Sequence, residues 1–285
     1  MTEPSPSSDD VPWKRDLDLV VRSWCGGDDA RLAQGSAALA SRIPAAPTRR
    51  RVTGGQNVED SQNRVRHRRA VLDVWQAQQA VLATHRPDRL LTIGGDCSVE
   101  LPSVAYLAGR YGPELSVVWL DAHGDLNSPA SSPSGTAHGM PLRLLLDPSI
   151  DDLGSWHCLE PAQVLLAGVR DLDPPEEQYR HQQRIRLLTV EALYQNPGRL
   201  AELLPAGAPV YLHLDLDVLD PPSFPAVAVP TPDGLPPAAL AAAFAAAHEQ
   251  ADIVGMGITE YVPSIAHDAG ALDHVLSALQ VIPRS

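Results

Sequence analysis

Short, nearly continuous apolar runs alternate along the chain with longer stretches whose apolar residues recur every three or four positions. Arg89 to Ile93 (RLLTI), Leu115 to Leu120 (LSVVWL), Gln163 to Ala167 (QVLLA) and Val210 to Leu214 (VYLHL) predict strands buried on both faces. Asp16 to Trp24 predicts another strand, and Ile185 to Leu188 and Asp252 to Gly257 two less regular ones. Helical spacing covers Asp29 to Arg42. It also covers Asp60 to Thr84, where Val65, Leu72, Trp75, Val81 and Leu82 follow a helical period. Further helices are predicted near Val99 to Arg110, Ala137 to Leu146, Val190 to Leu204, Pro236 to Glu249 and His267 to Leu279. Apolar strands separated by helices imply an α/β fold, with a mostly parallel sheet covered on both faces.

The opening dozen residues are rich in Ser, Pro and Asp and read, with the few that follow, as a flexible tail over 1–15. No composition break long enough for a linker and no internal repeat follows, so 16–285 reads as a single domain. The prolines between Pro221 and Pro237 predict a loop, because that density can continue neither a helix nor a central strand.

Composition narrows the class. The 285 residues are 44% hydrophobic and 20% charged, which is ordinary for a globular chain and unlike a disordered one. No apolar run approaches the roughly 20 residues of a membrane span, and the first ten residues carry neither the basic nor the apolar part of a secretory signal. Cys25, Cys97 and Cys158 form no paired spacing, which fits a reducing, cytoplasmic setting. With 22 basic and 35 acidic side chains the formal charge is −13, so a nucleic-acid partner is not expected. That surplus alone signifies only a soluble surface.

Its distribution says more. In such sheets ligands bind beyond the carboxyl ends of the strands. After RLLTI comes Gly94-Gly95-Asp96-Cys97-Ser98, and after LSVVWL comes Asp121-Ala122-His123-Gly124-Asp125. QVLLAG is followed by Arg170-Asp171-Leu172-Asp173, VYLHL by Asp215-Leu216-Asp217, and DIVGMGIT by Glu260. If the strand continued through DAHGD, Asp121, His123 and Asp125 would point to one face, and Asp215 with Asp217 would repeat the device. Carboxylates gathered in a cleft drive one another's protonation. One divalent cation, or two sharing a carboxylate, resolves that repulsion, and mixed carboxylate–imidazole ligation suits manganese or a similar first-row ion.

GGDxS, DAHGD, DLDVLDP and ITEYVP resemble, in order and spacing, the signature of the arginase or ureohydrolase family, over about Arg89 to Pro263. The resemblance implies a three-layer α/β/α fold with a central, mostly parallel sheet of about eight strands. It also implies two divalent metal ions, manganese in the first place, holding a bridging hydroxide that attacks a guanidinium carbon. By that likeness Asp121 and Asp215 are shared by both metals, Asp125 belongs to the first, and His123 and Asp217 to the second. Asp125 is also placed among the catalytic residues. Glu260 resembles the acid that pairs with the guanidinium, and His138 the histidine that passes a proton to the leaving amine. A helix-start histidine bonded to a backbone carbonyl is the ordinary alternative for His138 taken alone. A small guanidino substrate and a homo-oligomer, trimer or hexamer, are the partners implied.

The loop Leu126 to Ala137, with Asn127 and Ser134, resembles true arginases, where such positions read an α-carboxylate. Asp173 resembles the acid that holds the α-amino group, with Glu176 assisting. L-Arginine, giving L-ornithine and urea, is therefore the first substrate expected. Two departures point elsewhere. Cys97 stands where the family has a ligand histidine, and a soft thiolate there favours zinc, cobalt or iron over manganese. Val229 stands where arginases carry a threonine beside the guanidinium. Relatives with cysteine at the metal position make N-hydroxyarginine the nearest alternative substrate, followed by agmatine or guanidinobutyrate. His213, two residues before Asp215, shares its strand face. A core or supporting role is the usual one for such a histidine, and a compensating ligand the exception. A metal-binding regulatory homologue is the non-enzyme alternative. The histidine pair of deacetylases, the G-x-S-x-G elbow, a P-loop and a dinucleotide fingerprint are all missing from the sequence.

Overall fold

The computed structural model describes residues 13–54 and 61–283. Its strands are β1 (Leu17–Arg22), β2 (Thr48–Thr53), β3 (Ser61–Gln62), β4 (Val65–Arg66), β5 (Leu90–Ile93), β6 (Ser116–Leu120), β7 (Val164–Ala167), β8 (Arg186–Leu188), β9 (Pro209–Asp215) and β10 (Asp252–Thr259). Its α-helices are α1 (Leu32–Arg42), α2 (Arg68–His85), α3 (Leu101–Tyr111), α4 (Pro141–Leu146), α5 (Pro174–Gln183), α6 (Val190–Gln195), α7 (Arg199–Glu202), α8 (Pro237–Gln250) and α9 (Ala269–Ala278). Eight strands form a wholly parallel sheet in the order β2-β1-β5-β10-β9-β6-β7-β8: the apolar runs predicted its parallel character, and the family resemblance implied the strand number.

The period of two along each strand divides the core into two layers. Val118 and Leu120 of β6, with Leu212 and Leu214 of β9, pack with Leu39 of α1 and with residues of α6 to α9 such as Leu193, Leu200, Phe244 and Leu276. Val117, Trp119 and Tyr211 face the other way, against Trp75 of α2, Val104 of α3, Leu144 of α4 and Tyr179 of α5. Each fully buried aliphatic side chain contributes about 1.5–3 kcal/mol, so a strand buried on both faces is held from both sides. The order β5-β10-β9-β6 makes neighbours of strands far apart in sequence. Cys97, Glu260, Asp215 and Asp121 thereby follow four adjacent strand ends.

Four elements differ from the pattern-based reading, each for an identifiable reason. The helix expected over Asp60 to Thr84 begins only at Arg68. Before it, β3 and β4 form a hairpin whose two turn residues, Asn63 and Arg64, have φ of 53° and 62°. Such a two-residue turn needs left-handed residues, which no helix tolerates. Helix α5 and strand β2 escape the apolar-periodicity test. Within α5 only Glu176 and Tyr179 are buried, and β2 (TRRRVT) is an edge strand whose Val52 alone is buried. The stretch Val190 to Leu204 is two helices, α6 and α7, interrupted at Pro197. Of the expected tail, residues 1–12 lie outside the described residues, while Trp13 and Arg15 are buried and the Trp13 indole donates to Ile253 O at 2.8 Å. No helix among the described residues is long and apolar enough to cross a membrane.

Candidate metal centre

At the end of β6 the strand stops at Leu120 instead of running through DAHGD. The acids converge by another route. Asp121 turns the chain by accepting from His123 N at 2.6 Å, and Asp125 takes a left-handed φ of 51°. At the end of β9, Asp215 accepts from Asp217 N at 2.7 Å and caps the one-turn helix Leu216–Val218. Asx turns of this kind are a normal use of short carboxylates, and here they aim the remaining oxygens into one cleft. Glu260 also has a positive φ, 62°, and its N–H donates to Gly95 O at 2.7 Å. Left-handed non-glycine residues cost of order 1–3 kcal/mol and gather at functional sites; two of the acids here are of that kind.

The cleft, about 140 Å³, is lined by residues that include Cys97, His123, Asp125, His138, Asp215, Asp217 and Glu260. His123 Nδ1 lies 3.0 Å from Asp217 Oδ2 and 3.4 Å from Asp121 Oδ1. Cys97 Sγ lies 3.0 Å from Asp215 Oδ2, and His138 Nδ1 lies 3.2 Å from Glu260 Oε1. His138 thus faces the site acid and not a backbone carbonyl. Asn127, Ser134, Asp173 and Glu176 join the lining at the cleft's outer side. Asn127 Nδ2 donates to Asp173 Oδ2 at 2.8 Å, and Ser134 Oγ is 2.5 Å from Thr136 Oγ1. Both oxygens of Glu176 are engaged by backbone, accepting from Leu126 N and Asp173 N at 2.8 and 2.9 Å. Glu176 therefore ties the substrate-side loop to α5, with each of its oxygens already bonded to backbone. All the metal and catalytic candidates read from the sequence are brought together.

The electrostatics are those of an acid cluster short of cations. Two carboxylates 4 Å apart repel by roughly 4 kcal/mol at an effective dielectric of 20. Burial, then the charges of neighbouring acids, pushes Asp125 and Asp215 far above the ordinary carboxylate range, and Asp217 upward as well. Burial also raises Glu260, and burial followed by the Asp215 charge raises the Cys97 thiol. Burial alone would lower His123, but the Asp217 and Asp121 carboxylates outweigh it and drive its pKa strongly up. Burial likewise opposes the charged form of Asp121, yet hydrogen bonds with His123 and His213 hold that acid well down. Asp125 Oδ2 and Glu260 Oε2 are buried with no hydrogen-bond partner among the described residues. Buried polar atoms are rarely left so.

Among the described residues three groups could hold a metal ion: Cys97 with Asp121, Asp125 and His213; Cys97 with Asp215 and Glu260; and Asp121 with His123 and Asp217. Orphaned carboxylate oxygens, repelling acids and imidazole donors fit a divalent pair. Sequence reasoning placed these residues but not those that hold them. Trp119 Nε1 donates to Asp121 Oδ2 at 3.1 Å, and Thr259 Oγ1 lies 3.1 Å from Cys97 Sγ. Arg170 donates to the carbonyls of Asp217, Thr231 and Pro232 at 2.7–2.9 Å, stapling the proline-rich loop to the end of β9. Arg66 N donates to Gly135 O at 2.8 Å, and Arg64 Nη1 to Ala130 O at 3.2 Å, so the β3–β4 hairpin braces the substrate-side loop. Of the acids at strand ends, Asp96 accepts from Ser98 N and Gly26 N, and Asp220 from Gly234 N. Both hold loops in place.

A parallel sheet with acids and imidazoles at its central carboxyl ends defines a candidate centre for divalent metal ions. The arginase-family sequence profile matches residues 33–281. An arginase of Staphylococcus aureus is 31% identical over 225 residues, which are 75% of this chain and 74% of that one. Against three further arginases the aligned stretch spans 59%, 64% and 63% of those chains. Among solved structures, the Entamoeba histolytica arginase in complex with L-ornithine superposes with a TM-score of 0.80 at 21% identity, covering 95% of this chain and 98% of that one. The formimidoylglutamase of Bacillus subtilis shares the fold with a TM-score of 0.69 at 18% identity, over 100% and 95% of the two chains. The chain belongs to the arginase family, whose members are binuclear metal-dependent ureohydrolases.

Proposed function

We propose that the protein hydrolyses the guanidinium group of L-arginine, giving L-ornithine and urea. The observation that carries this reading is the pairing of His138 with Glu260, 3.2 Å apart, beside the acid cluster and facing a cleft rimmed by Asn127, Ser134 and Asp173. Cys97, Asp121, Asp125 and Asp215 would hold a first metal, and Asp121, His123, Asp215 and Asp217 a second. When bound, the metal pair supplies Lewis acidity and brings the pKa of water towards neutrality.

The chain's own residues do the rest. The buried, unpartnered Glu260 Oε2 accepts a guanidinium N–H, adding a charge-assisted bond to the one its Oε1 makes with His138. Asp125 Oδ2, also unpartnered, stands ready to take the proton of the attacking water. His138 hands a proton to the departing amine. Burial works against its charged form, but the hydrogen bond with Glu260 prevails and raises its pKa, which favours the protonated donor. At the outer end, Asp173 takes the α-ammonium, while Asn127 and Ser134 donate to the α-carboxylate.

Two residues favour N-hydroxyarginine as the second reading. Val229, 42% exposed, offers the cleft a methyl surface, and Cys97 offers a thiol. The deciding experiment loads the protein with manganese, cobalt or zinc and assays L-arginine, N-hydroxyarginine, agmatine and guanidinobutyrate side by side. Urea from arginine at the highest kcat/KM is expected. No urea or hydroxyurea from any of them, with metals bound, would refute the proposal.

A further inference from the structure

His213 is buried in the middle of the sheet, where its sequence position favours a core or supporting role over a ligand one. Its Nε2 lies 3.7 Å from Cys97 Sγ and 3.7 Å from Asp121 Oδ2. One donor atom from each of Cys97, Asp121, Asp125 and His213 falls within 4.8 Å of all the others, and all four residues are buried. Its other nitrogen faces away from the cleft, 3.4 Å from Glu100 Oε2, and has no hydrogen bond. Glu100 is itself held by the Tyr211 hydroxyl, which donates to Oε2 at 2.5 Å. Space for that carboxylate is created by Gly257, where a Cβ would sit 1.7 Å from Glu100 Oε2. Trp119 stacks on the imidazole with ring centroids 3.7 Å apart and planes 23° from parallel, fixing its orientation.

A buried carboxylate behind one ring nitrogen, with sulfur and carboxylate oxygens before the other, is the arrangement that orients metal-binding histidines. We propose that His213 Nε2 is a further ligand of the first metal, beside Cys97, Asp121, Asp125 and the shared Asp215, and that Glu100 positions it. The inference deepens the functional reading above and rests on its binuclear centre. The first site then offers sulfur, nitrogen and oxygen donors, a set suited to zinc or cobalt. The second, from Asp121, His123, Asp215 and Asp217, offers only nitrogen and oxygen and suits manganese. Two chemically unequal sites share one cleft.

The test uses the full-length protein, stripped with a chelator and reloaded with cobalt. A thiolate-to-cobalt charge-transfer band and paramagnetically shifted imidazole N–H signals from both His123 and His213 are expected. In His213→Gln the His213 signal disappears and one metal per chain is lost. In Glu100→Gln that signal shifts and first-site affinity falls roughly 10–100-fold, an effect that loss of packing alone would not place on one imidazole. An unchanged signal set and metal content in His213→Gln overturns the proposal. Should that variant not fold, 15N-histidine-labelled wild-type protein loaded with zinc decides. Nε2 of His213 in the zinc-bound range supports the assignment, and a protonated Nε2 donating to the thiolate overturns it. The two readings fail separately: hydrolysed arginine without the His213 signal refutes the ligand, and the signal without hydrolysis refutes the substrate.

Discussion

Two groups of buried carboxylates sit at different places on the same sheet, and they are neutralised in opposite ways. Asp18, near the start of β1, has no exposed surface, and its oxygens are filled by the protein's own cations. Arg15 Nε donates to Oδ1 at 2.6 Å, while Arg49 Nη2 and Ala46 N donate to Oδ2 at 2.7 and 2.9 Å. The cluster at the carboxyl ends of β6 and β9 is as deeply buried, yet among the described residues no lysine or arginine lines its cleft. Arg170 stands nearby but spends its N–H groups on backbone carbonyls. Burial alone therefore does not distinguish a structural acid from a functional one. The source of the compensating charge does: Asp18 carries its counter-ions within the fold, whereas the cleft acids require a cation from outside.

The contrast can be broken by exchanging charges at either place. Asp215→Asn is expected to have the largest effect, lowering metal affinity by more than the roughly 10–100-fold cost of an outer partner. The same change removes repulsion from Asp217 and Asp121, so the chelated variant is expected to melt at a higher temperature than chelated wild type. Equilibrium dialysis and a thermal scan check the two halves. Asp18→Asn should do the reverse. It leaves Arg15 and Arg49 without their partner and costs about 3–5 kcal/mol of unfolding free energy, read by urea titration, with turnover per folded molecule unchanged. Glu260→Gln should lower arginine turnover about 10²–10³-fold, the scale for one preorganised electrostatic contact, while metal content stays at the wild-type level.

The smallest effect is a pH dependence. Asp125, Asp215, Asp217 and Glu260 have folded-state pKa values raised first by burial, so the native metal-free protein holds protons that the unfolded chain has released. His123, His138 and His213 are raised too, burial opposing and neighbouring acids prevailing, and the stability they lend is lost as pH climbs through their folded values. Asp121, lowered, works in the opposite sense but is one group against several. Chelated protein should thus lose stability as pH rises above the ordinary carboxylate value of 3.8. Bound metal repels protons from the same acids. The gap in Tm between loaded and chelated protein is expected to widen with pH, and a constant gap would contradict this account.

Much of the site was legible because each ligand pair lies close in sequence behind an apolar strand. Asp121, His123 and Asp125 occupy five consecutive positions, and Asp215 and Asp217 three. Their convergence nonetheless does not come from a shared strand face: β6 ends at Leu120, and Asx turns and a left-handed Asp125 aim them. The braces were not legible. Val65 falls on a helical period with Leu72, so hairpin and helix cannot be separated by spacing; the left-handed Asn63 and Arg64 make the hairpin turn, and the left-handed His67 divides it from the helix. Glu100, Tyr211 and Gly257 lie on three separate elements and meet only around His213.

The sequence by itself determined the sheet, the family and the gathering of acids at strand ends, because apolar runs and short motifs are local properties. Tertiary structure alone decided which of those acids stand in the cleft and which cap loops, since Asp96 and Asp125 look alike until their partners are seen. It also decided what faces Cys97. The order β5-β10-β9-β6 lays the end of β9 within reach of the turn after β5, bringing an imidazole from position 213 to a thiol at position 97. Pairing between strands distant in sequence leaves no periodic trace in the chain, so that contact became visible only in the fold.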